Sequence, residues 1–79
     1  MNTIQEQWLL FLKLVVPKDA APYQQQEMRR SFYAGAEAMM RIQFSISDPS
    51  ISDDAAVQIL EGLRQELTMF AQKVKQGKA

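Results

Sequence analysis

The chain has 79 residues, no cysteine, no histidine, and nine basic side chains balanced by nine acidic ones. Disulfides, imidazole or thiolate metal sites, and Ser-His or Cys-His nucleophiles are therefore excluded. The neutral balance argues against a generic nucleic-acid binder, which carries a strongly basic domain.

A chain of this size forms a single domain and buries only about 60% of its unfolded surface. With 47% of its residues apolar and no covalent or metal support, self-association is the remaining common source of stability. Homo-oligomerisation is the first expectation.

Three helices are predicted, over about 3–16, 20–46 and 53–76. Thr3-Ile4-Gln5-Glu6 fits a capping box at the first start. Ile4, Trp8, Phe11 and Val15 follow at helical spacing on one face, while Leu9, Leu10, Leu12, Leu14 and Val16 make the segment apolar nearly all round. A helix of that kind is normally covered from several sides. Trp8, Phe11, Leu12 and Val15 are accordingly the candidates for protein interaction. The run from Trp8 to Val16 is too short to span a bilayer, which takes about 20 residues. No basic segment precedes it as in a signal peptide, so a cytoplasmic location is expected.

Pro17 ends the first helix by restricting the residue before it. The second helix starts with Asp19 as cap or with Pro22 in its first turn. Met28, Phe32, Gly35, Met39, Ile42 and Ile46 then alternate in steps of four and three, a seven-residue repeat over three heptads. Asp48-Pro49-Ser50 forms a turn. Ser52 caps the third helix, with Asp53 and Asp54 favoured in its first turn by the helix dipole. Their place at a cap accounts for this acidic pair without a magnesium ion. Leu60, Leu63, Leu67, Phe70 and Val74 continue the three-four spacing, lysines gather near the end, and Gly77 is a stop. The fold class is all-α: an apolar N-terminal helix plus a long antiparallel helical hairpin, assembled as a homo-oligomeric bundle.

No catalytic constellation, metal site or cofactor site follows from these residues. The three glycines, Gly35, Gly62 and Gly77, do not form a phosphate loop, and no enzymatic activity is expected. Binding capacity concentrates in MRRSFYAGAEAMM, residues 28–40. Ser31, Ala34, Gly35, Ala36 and Ala38 make this part of the helix thin. A mid-helix glycine costs about 1 kcal/mol relative to alanine, so close approach of another backbone is expected at the Ser31–Gly35 face, either within the chain or between copies. Arg29, Arg30 and Tyr33 form a candidate cationic, aromatic corner for an anionic ligand. The alternative for these arginines is a solvated face, with Glu37 and Arg41 paired along the helix.

The segment EMRRSFYAGAEAMM followed by SDPSISDDAAVQIL resembles a pattern in small helical proteins encoded by bacteriophages and prophages. Arg29-Arg30 with Phe32-Tyr33 and Gly35-Ala36 carry the resemblance, which covers residues 27 to about 71 and leaves out the first helix. It implies a viral accessory gene and brings no activity with it. Three functions are compatible with these residues, in this order. The first is a non-enzymatic accessory protein that binds a host or phage protein, countering a host function. The second is an oligomer that sequesters an anionic small molecule or nucleotide signal. The third is a small nucleic-acid-binding regulator, which the neutral charge disfavours.

Overall fold

The computed structural model describes residues 2–79. Among them the chain forms three helices and no strand: α1 over Ile4–Leu14, α2 over Pro22–Ile46 and α3 over Asp53–Lys75. None of the helices is long and apolar enough to cross a membrane. The chain divides into two compact units, Met1–Ile42 and Gln43–Ala79, so α2 begins in one and ends in the other.

Local chemistry sets the helix ends. Thr3, in extended backbone, accepts the Glu6 N–H through Oγ1 at 3.1 Å. Its hydroxyl also lies 3.3 Å from Glu6 Oε1, completing a side-chain pair at the start of α1. The helix stops at Leu14 because Pro17 disfavours helical backbone just before it. Val15 already sits at φ −120°, ψ −38°. This departure turns the chain, and Val16 becomes buried while Val15 is 59% exposed.

Pro22 occupies the first position of α2, where its missing N–H would be unsatisfied in any case. Asp19 lies outside the helix. The reach-back comes from Gln24, whose Oε1 accepts the Ala21 N–H at 3.1 Å. Gln25 Nε2 donates to the Ala20 carbonyl at 3.0 Å.

The first unit is held by aromatic packing. Trp8 is 5% exposed, with ring centroids 5.9 Å from Phe11 and 5.6 Å from Phe32. Phe11 and Phe32 lie 5.3 Å apart. Such pairs contribute about 0.5–1.5 kcal/mol beyond their buried area. An 11-residue helix is marginal by itself in water, so this cluster is what keeps α1 helical.

In the second unit, the Asp48 carboxylate accepts the Ser50 N–H at 2.8 Å and the Asp48 carbonyl accepts the Ile51 N–H at 3.0 Å. Ser52 Oγ accepts the Ala55 N–H at 3.1 Å, capping α3 with Asp53 and Asp54 in its first turn. At the other end Gly77 takes φ 71°. Lys78 N–H bonds the Lys73 carbonyl at 2.9 Å and Gly77 N–H the Val74 carbonyl at 3.1 Å. This is a Schellman close, whose left-handed residue favours glycine.

Candidate functional site

The small-residue segment and its arginines lie in the middle of α2, facing the start of α1. Tyr33 and Phe32 are half-buried, whereas Arg29, Arg30, Ser31 and Gly35 are exposed. Tyr33 donates its hydroxyl to Gln5 Oε1 at 3.0 Å. Arg29 Nη2 stands 3.5 Å from the same oxygen. The Arg29 guanidinium carbon also lies 5.5 Å from the Tyr33 ring centroid, within cation–π range. Two members of the expected cationic, aromatic corner therefore meet on one α1 side chain. Gln5 joins the site without having been singled out in the sequence.

Arg30 points elsewhere. Its Nη1 bonds Glu27 Oε1 at 3.2 Å, with the two side chains 68% and 46% exposed. Exposed pairs of this kind contribute only about 0.2–1 kcal/mol. Arg30 and Tyr33 do share one open groove, with Ile4, Ala34, Glu37 and Met40. Arg41 pairs with Glu37 at 3.9 Å, the helical arrangement expected from their spacing. Adjacent helical residues diverge by about 100°, which is why Arg29 and Arg30 serve different neighbours.

At the thin stretch, the Ser31 hydroxyl donates to the Glu27 carbonyl at 3.0 Å. A Cβ built on Gly35 would meet nothing within 4 Å. Among the described residues nothing makes the close approach expected at this glycine, and Ser31 and Gly35 are both exposed.

The apolar candidates of α1 separate by burial. Trp8 is enclosed, and Phe11 and Leu12 are half-buried. Ile4, Leu9, Leu10 and Leu14 of α1 are exposed, at 43%, 50%, 51% and 70%, and so is its cap residue Val15, at 59%. Leu10 and Leu14 are four apart and share a face. The burial of Trp8 and the partial burial of Phe11 follow from their contacts with Phe32. In α3, Leu60, Leu67, Phe70 and Val74 are likewise exposed.

Comparison with family models, with curated proteins and with solved structures returned no match to this chain. The geometry is therefore the basis on which its function is proposed.

Proposed function

We propose that this chain is a non-enzymatic binding module, an oligomeric helical accessory protein whose first helix captures another protein. The observation that carries the reading is the two-sided character of α1. Trp8 and Phe11 anchor one side on Phe32, and Leu9, Leu10 and Leu14 stand exposed. An anchored helix presenting leucines at i and i+4 matches the helix-in-groove mode of recognition. Its ordering entropy is already met by intrachain packing. The phage resemblance of residues 27–71 supports a host protein as the partner and the host cytoplasm as the place of action.

The test is a comparison of partner recovery by the intact protein and by a Leu10→Glu, Leu14→Glu variant, with Trp8 fluorescence confirming that α1 remains docked. A host protein retained by the first and lost from the second supports the reading. Equal recovery by both would contradict it.

One observation favours a second reading, capture of an anionic small molecule: Arg30 and Tyr33 line the same open groove. Titration of a nucleotide by calorimetry, with Arg30→Ala as the control, separates it from protein capture. Heat of binding that disappears in the variant supports the small-molecule reading.

A further inference from the structure

We propose that two copies of this chain pair through α3, antiparallel, along the stripe Ala56, Leu60, Leu63, Leu67, Phe70 and Val74. The inference rests on the oligomeric part of the reading above and names the face, the direction and the number of copies.

The stripe follows from spacing. Steps of four and three between these residues form the a and d positions of three heptads, on a helix of 23 residues that is about 34 Å long at 1.5 Å per residue. Leu60, Leu67, Phe70 and Val74 are exposed, at 44%, 62%, 57% and 54%. Ala56 and Leu63 are half-buried, and the four large exposed side chains in the same row leave α3 with a surface suited to another helix.

Charge selects a second copy as the occupant and sets its direction. Asp53 and Asp54 occupy the first turn of α3, while Lys73 and Lys75 occupy the last. A parallel pair would bring acid against acid at one end and base against base at the other. An antiparallel pair brings each acidic end beside the partner's basic end and opposes the helix dipoles. The helix is thus complementary to itself under a two-fold axis, as an isologous interface requires.

The heptad positions then fix a register in which a meets d: Leu63 faces Leu67 of the second copy, Leu60 faces Phe70, and Ala56 faces Val74. Arg64 lies near the axis and carries its counter-charge with it, Glu61 at 3.6 Å. A lipid surface is the poorer occupant. The polar residues of α3 include Glu61, Glu66 and Arg64 and offer no cationic face for anionic headgroups.

The test uses the absence of native cysteine. Spin labels are placed on the full chain at Gln58→Cys, Gln65→Cys or Gln72→Cys, exposed residues seven apart on the face away from the stripe. Light scattering is run on each sample. The antiparallel pair gives a mass of two chains. Its interspin distance is shortest at 65 and longer at both 58 and 72, where the labels are offset along the axis by about 21 Å. Equal distances at all three positions mean parallel pairing and overturn the proposal while leaving the oligomeric reading intact. So does any other distance pattern, or a mass other than two chains in an assembly. A single-chain mass with no interspin distance overturns both. Leu67→Glu is expected to reduce the mass to one chain; a pair that survives this change also overturns the proposal.

Discussion

Tyr33 donates its hydroxyl to Gln5 Oε1 across 3.0 Å, and Arg29 reaches the same oxygen at 3.5 Å. One α1 amide thus receives two donors from successive turns of α2. A typical intramolecular hydrogen bond contributes about 0.5–1.5 kcal/mol net. Tyr33→Phe and Gln5→Ala are each expected to lower stability by about 1 kcal/mol or less. The double variant should lose less than the sum, because both remove one bond. Urea unfolding followed by the single tryptophan checks this; additive losses would show the contact to be incidental.

Trp8→Ala removes the centre of the aromatic cluster. Truncations of this kind cost about 3–5 kcal/mol, a large part of the stability of a small domain. The expected result is a loss of helical far-ultraviolet signal corresponding to α1, since an 11-residue helix does not persist unsupported. Full retention of helicity would show that α1 is stable without its anchor.

Gly35→Ala meets no atom within 4 Å. In the separated chain it should raise stability by up to about 1 kcal/mol through helix propensity. If the Ser31–Gly35 face is used between copies, the same change weakens association. Thermal unfolding and light scattering on one sample separate the two effects, and a destabilised chain with unchanged mass contradicts both.

The Asp48 carboxyl titrates below its ordinary value of 3.8 because the Ser50 side chain and backbone hydrogen-bond to it, against a small opposing effect of desolvation. A depressed folded pKa stabilises the turn above the unfolded value, and that contribution is lost as pH falls through the folded one. Asp48→Asn should therefore flatten the stability profile below about pH 4. Identical acid limbs in the two proteins would exclude this carboxylate as a source of the acid dependence.

Whatever is set within one turn of chain was legible in the sequence. Thr3, Ser52, Asp48 and Gly77 each act on backbone groups no more than five residues away, so composition and spacing suffice. The α1 face was legible only up to its cap. Ile4, Trp8, Phe11 and Val15 share a face in an unbroken helix, but the backbone leaves helical geometry at Val15, and Val16 takes the buried place instead. The role of Gln5 was not legible. Its partners are 24 and 28 residues away, and their meeting depends on how α1 crosses α2, which periodicity does not encode. Arg29 and Arg30 read as one corner in sequence, and helical rotation separates them. Gly35 showed that its helix needs a reason to be thin without showing what would approach it.

Solution mass across a concentration series, measured by light scattering for the intact chain and for Leu67→Glu, tests the oligomeric reading most directly. The intact protein is expected at twice the 9.0 kDa of one chain and the variant at a single chain, with helical content retained. An intact protein that remains a single chain at every concentration would contradict it.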